Sequence, residues 1–221
     1  MTEFNHPFLN LVFISIIALF PVINPVGSAL IISPYFAELT SAEKRTAVGK
    51  ITVYAFLICF VSVFAGHWIL ALFGLSIPVI RLAGGIMICK MGWEFLASDP
   101  GVALAPKNTD VVKPSGYNHI AGKLFYPITF PVTTGAGTIS VLFTLSAHGE
   151  SGSTYYLNIM AILAGVLVMC ALIYIFYLNT RTIIRFLGSG GETIVNRISA
   201  FLIFCVGLQI AVTGIKALFN M

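Results

Sequence analysis

Charge is what this chain of 221 residues has least of. Asp, Glu, Lys and Arg together make up 9% of it, against roughly 25% in an ordinary soluble domain, so a surface turned to water on all sides is excluded. The eight acidic and twelve basic residues leave a net charge of +4, and the basic ones sit beside apolar runs rather than in a stripe. No nucleic-acid partner is expected from that distribution. The four cysteines, Cys59, Cys89, Cys170 and Cys205, are far apart and lack paired ligand spacing, which makes them core residues. Four scattered histidines, among them His67, His119 and His148, make no metal pattern. A nucleophile, base and orienting group at recognisable spacing is also missing, and no enzyme is expected. Gly188-Ser189-Gly190-Gly191 lacks the Lys-Ser/Thr ending of a phosphate loop and reads as a turn.

What the chain has is apolar length. Hydrophobic residues make up 58%, phenylalanines number 18, and the mean hydropathy is +0.97, figures that belong to a membrane protein. Six stretches reach the roughly 20 apolar residues that a spanning helix needs: about 8–35, 46–73, 77–96, 120–147, 155–178 and 194–219. The first follows a leader without lysine or arginine and reads as a retained helix rather than a signal peptide. The expected fold is an all-α membrane protein of six transmembrane helices in one domain: a three-helix half (1–97), a linker (98–117) and a second half (118–221). Pro and Gly pieces in the linker argue against a packed element there.

Lysine and arginine excess marks the cytoplasmic side. Lys44, Arg45 and Lys50, then Lys107, Lys113 and Lys123, then Arg181 and Arg185 fall in alternate loops, whereas the other loops have none. Both termini are therefore expected on the outer side, the periplasm in a Gram-negative cell. Trp68 and Trp93 sit near the implied interfaces as aromatic anchors.

The strongest internal signal joins the first and fourth spans. Phe20-Pro21-Val22-Ile23-Asn24-Pro25-Val26 matches Tyr126-Pro127-Ile128-Thr129-Phe130-Pro131-Val132, and a weaker echo sets Ile80-Arg81-Leu82 beside Asn196-Arg197-Ile198. Three helices per half would turn the second copy over, so the expectation is a 3+3 inverted repeat. Paired prolines followed by glycine remove amide donors and clash with the preceding turn, which makes helices 1 and 4 discontinuous. In hydrocarbon such breaks belong in a protein interior or a water-lined cavity. Pro21, Pro25, Pro127 and Pro131 are thus structural or gating positions.

Two readings of these breaks stand side by side. They are proline kinks in which Asn24, Thr133 and Thr134 bond locally to backbone, or they are a binding site. On the second reading, half-helices starting near Gly27-Ser28 and Gly137-Thr138 offer positive ends to a carboxylate. Asn24, Thr129, Thr133, Thr134, Thr138 and Ser140, with Gly135 admitting close approach, suit a polar solute or a coupling Na+ near Asn24 or Thr133. Proton coupling is the alternative to Na+, and no cofactor is expected. The absence of a fixed charge at the site favours a small neutral or zwitterionic solute. Arg81 and Arg197 either snorkel to the interface or serve as gates or anchors. Lys90 and Glu94, four apart, form a local ion pair or a coupling site. Gly84, Gly85 and Gly92, with Gly207 and Gly214, provide surfaces for close packing, within the fold or in a homo-oligomer.

These motifs resemble the MarC family of bacterial integral membrane proteins over essentially the full length. The matching pieces are Leu19-Phe20-Pro21-Val22-Ile23-Asn24-Pro25, then Phe73-Gly74-Leu75-Ser76-Ile77-Pro78-Val79-Ile80-Arg81-Leu82-Ala83-Gly84-Gly85, and Pro131-Val132-Thr133-Thr134-Gly135-Ala136-Gly137-Thr138-Ile139. The family more often has proline at the place of Ala136. The resemblance implies a six-span inner-membrane protein. It also implies kinship with an archaeal transporter of glycine- or alanine-sized solutes coupled to Na+. Transport of a small neutral solute by alternating access is the leading expectation. Export of another metabolite or drug, or an accessory role without transport, is the alternative.

Overall fold

The computed structural model describes residues 7–97, 117–146 and 153–219. Except for Tyr117, the expected linker lies outside the described residues, as do His148 and both chain ends. The architecture is all-α. Helix α1 (Pro7–Ile23) and α2 (Pro25–Ile32) are separated by Asn24 alone, and one tight turn, Ser33–Phe36, follows. Next come α3 (Ser41–Phe73), α4 (Ile77–Ala97), the short α5 (Tyr117–Ala121) and a wide-turned segment, Leu124–Thr133. Helices α6 (Ala136–Ser146), α7 (Ser153–Leu178) and α8 (Thr180–Leu218) complete the chain.

Among the described residues, four runs are long and apolar enough to cross a bilayer: Phe8–Phe36, Ser41–Gly66, Tyr155–Leu178 and Arg197–Leu218. The Leu124–Thr133 segment and α6, bent by 60°, make a fifth if taken as one. Helix α4 has a spanning length of 21 residues but carries Arg81, Lys90 and Glu94. Large apolar side chains ring the exterior; Ile17 is 69% exposed and Leu72 80%. Water would penalise that belt, whereas lipid tails are its natural solvent.

Two element ends differ from the sequence expectation. Helix α3 starts at Ser41 rather than 46, because Thr40 and Glu43 cap it reciprocally. The Thr40 hydroxyl accepts the Glu43 amide (3.3 Å), and the Glu43 carboxylate accepts the Thr40 amide (2.9 Å). The expected turn at 188–191 is instead a kink within α8: only Gly188 leaves helical geometry, at φ 69°. Glycine takes that conformation without a Cβ clash, so the helix resumes immediately.

The α4–α8 pair is the most extensive helix contact, and glycine makes it so. A Cβ on Gly85 would stand 2.4 Å from the Ala211 nitrogen, and one on Gly92 2.6 Å from that of Phe204. From the other side, Gly207 meets the Cys89 nitrogen at 2.6 Å and Gly214 that of Leu82 at 2.7 Å. Backbone touches backbone, as the small-residue reading expects. Both helices place these glycines seven residues apart. The arginine echo falls out of this register: Arg81 precedes Gly85 by four residues, Arg197 precedes Gly207 by ten. The two arginines are not equivalent positions of the seam.

Candidate functional site

Both proline pairs interrupt their helices, but by different means. In the first, Pro21 stays inside α1 and Pro25 opens α2, where its missing amide costs nothing. Asn24 between them adopts the left-handed conformation (φ 44°, ψ 66°), open to asparagine more readily than to most residues. Its side-chain oxygen accepts the Gly27 amide (3.2 Å) and so caps α2. Gly27 is needed there, because its Cβ would lie 2.2 Å from Asn24 Nδ2. Backbone bonds bridge the interruption, Asn24 N to Phe20 O (2.8 Å) and Ser28 N to Asn24 O (2.9 Å).

The second break is larger. Tyr126 and Phe130, each before a proline, are extended at φ −122° and −115°, as the proline ring requires of its neighbour. The ladder widens to five-residue bonds, Ile128 N to Lys123 O (3.2 Å) and Thr134 N to Thr129 O (2.8 Å). Threonine hydroxyls add a second set of bonds to carbonyls of the widened ladder. Thr129 donates to Leu124 O (2.6 Å), Thr133 to Ile128 O (2.8 Å) and Thr134 to Thr129 O (3.2 Å). All three are buried. A Cβ on Gly135 would press within 2.7 Å of the Pro131 carbonyl, and one on Gly137 within 2.5 Å of Ile88 and 2.8 Å of Val22.

Of the sequence candidates, Ser28 and Thr133 are brought together through a residue the sequence reading did not single out. Tyr177, wholly buried near the end of α7, shares its hydroxyl with Thr133 Oγ1 (2.8 Å), with Ser28 beside it. Ser28 Oγ in turn donates to the Asn24 carbonyl (2.8 Å). A polar path thus runs from one break to the other. The available signal was the buried stripe Ile162, Val166, Met169, Ile173, Tyr177, whose helical spacing turns this phenol inward.

Thr138 differs from the other threonines. Its side chain is fully buried and its hydroxyl has no partner among the described residues. It lies in the first turn of α6, where unbonded amides point outward from the helix start. Val141 and Leu145, on the same face of α6, line a cavity of about 440 Å³ with Ile17, Pro21, Arg81 and Gln209. Arg81 is therefore at this cavity. Arg197 reaches the Leu96 carbonyl at the end of α4 instead, where a cation complements the helix dipole.

At the end of the molecule formed by the α2–α3 turn, two cations tie that turn to the ends of α7 and α8. Lys44, almost fully buried, donates to Leu178 O (2.9 Å) and lies 5.7 Å from the Phe36 ring centre; Arg181 donates to Ala37 O (3.0 Å). Lys90 and Glu94 form an exposed ion pair at 3.8 Å, the local reading of that pair.

The family of MarC family integral membrane proteins matches residues 9–219. Curated relatives include the UPF0056 inner membrane protein MarC of Escherichia coli strain SMS-3-5 / SECEC, 27% identical over 205 residues, covering 91% of this chain and 92% of the relative. The protein of the same name from Escherichia coli O1:K1 / APEC is 26% identical with the same coverage. No solved structure matches the chain.

Proposed function

The chain belongs to the MarC family of integral membrane proteins, and from that premise we propose that it is a secondary transporter in a bacterial inner membrane. Its solute is small and neutral or zwitterionic, of the glycine or alanine class. In this reading α4 is the third of six spans and the bent 124–146 run the fourth, the halves form an inverted repeat, and both termini face outward. The carrying observation is the unpartnered hydroxyl of buried Thr138 in the first turn of α6. A buried polar group without a partner is costly, and a solute carboxylate at that helix start would accept a hydrogen bond from it while meeting the free amides.

Asn24, Gly27, Ser28, Thr129, Thr133, Thr134, Gly135 and Gly137 shape the site around Thr138 on this proposal. Pro21, Pro25, Pro127 and Pro131 fix the breaks. Arg81, at the cavity, and Arg197 act as gating or anchoring residues. The 440 Å³ cavity is the outer approach, and the Lys44 and Arg181 contacts close the inner end. Alternating access then exchanges which end is closed. Na+ near Asn24 or Thr133, or a proton, is the coupling ion.

The test is uptake of radiolabelled glycine or alanine into proteoliposomes under an imposed Na+ or proton gradient. Uptake above empty vesicles, lost in Thr138→Val and retained in Thr138→Ser, supports the site. Gradient-independent background in correctly inserted wild type refutes amino-acid transport. The apolar cavity lining, Ile17, Val141, Leu145, Val206 and Ile210, favours a second reading, export of a bulkier apolar metabolite or drug. Competition by such compounds but not by alanine would establish it instead.

A further inference from the structure

We propose that Tyr177 is a positioning residue, set where the two broken helices meet, that holds the Lys44–Arg181 end shut. The inference rests on the transport reading only for its alternating-access consequence. Tyr177 sits on α7, outside both breaks, and is 0% exposed; Ser28 and Thr133 are 3% and 1% exposed. Its hydroxyl bonds Thr133 of the wide-turned segment, with Ser28 of α2 beside it. The next residue, Leu178, gives its carbonyl to Lys44, and Arg181, one turn on, holds Ala37 beyond the end of α2. One short stretch of chain therefore touches both breaks and carries the Lys44 and Arg181 contacts.

Proton counting sets the strength of the tie. Ser28 and Thr133 each donate their hydroxyl hydrogen to a backbone carbonyl, at 2.8 Å in both cases. Tyr177 has one hydrogen and two hydroxyl neighbours, so it donates to one break at a time. The latch is worth a single hydrogen bond, not two. Its loss should shift the balance between closed and open ends by about fivefold, rather than the roughly 25-fold of two independent bonds.

Tyr177→Phe keeps the ring and leaves Ser28 and Thr133 with their carbonyl partners. Opening is read without any solute, by the labelling rate of single cysteines in the detergent-purified full chain, otherwise free of cysteine, with a water-soluble maleimide. Thr144→Cys reports on the cavity it lines. Val48→Cys, at a buried position one turn from Lys44 on α3, reports on the closed end. The expected result is that Tyr177→Phe raises labelling at 48 about fivefold and lowers it at 144. Thr133→Val should match it, the double variant should add nothing, and Thr133→Ser should behave as wild type. If Thr133→Val does not fold, Tyr177→Phe and Thr133→Ser decide alone. Unchanged rates at both reporters in Tyr177→Phe, or a rise at both together, would overturn the latch, the latter marking only looser packing. Because no solute is involved, failed uptake by wild type strikes the transport reading and leaves this result standing.

Discussion

The two breaks start from the same spacing of prolines and end as different structures. At the position before the second proline, the first has Asn24 and the second Phe130. Asparagine enters the left-handed region and caps the helix that follows; phenylalanine takes the extended conformation that a proline imposes, and the next turns must be rebuilt. Three residues on, the first break has Gly27, leaving room for the Asn24 side chain, whereas the second has Thr133, whose hydroxyl bonds back to the Ile128 carbonyl and across to Tyr177. The result is one interrupted but continuous run, Phe8–Phe36, against a 60° bend. A shared motif thus specifies where a helix breaks, and its neighbours specify how.

The sharpest way to break that comparison is Gly27→Val, whose side chain occupies the space of Asn24. Loss of the cap plus overpacking is expected to cost about 3 kcal/mol, seen as a melting temperature in detergent lower by about 6–12 °C. A melt matching wild type would show that the cap does not need this glycine. Thr133→Val should cost about 2 kcal/mol by removing the hydroxyl's bonds to the Ile128 carbonyl and to Tyr177, with Thr133→Ser close to wild type. Equal losses in both variants would mean that packing, not the hydroxyl, matters there. Asn24→Ala should follow at about 1 kcal/mol, since it loses the cap and strains the left-handed backbone. Smallest of all, Asn24→Gly should cost a few tenths of a kcal/mol, because glycine keeps the backbone. If Asn24→Gly instead melts as low as Asn24→Ala, the side-chain cap outweighs the conformation.

Much of this was legible in the residues. Apolar runs located the long helices, paired prolines located both breaks, and the seven-residue spacing of Gly85 with Gly92 and Gly207 with Gly214 marked the seam. The early start of α3 was written in Thr40 and Glu43, a capping box that apolar length alone overlooks. Other features were not local. Tyr177 meets Thr133 across 44 residues of chain, and the cavity takes its walls from four helices, so no short motif announces either. Nor does composition say that the helix runs on past Gly188, because the same glycine-rich piece serves equally as a turn or a kink.

The glycine seam also orders events during synthesis. Helix α4 has three charged side chains and grooves at Gly85 and Gly92 that fit the backbone of α8, yet α8 leaves the ribosome later than α4 by the length of chain between them. At common elongation rates that delay is on the order of ten seconds, during which α4 stands in the membrane without its glycine-seam partner. A nascent chain stopped before residue 180 would present that open groove to the quality-control proteases of the membrane.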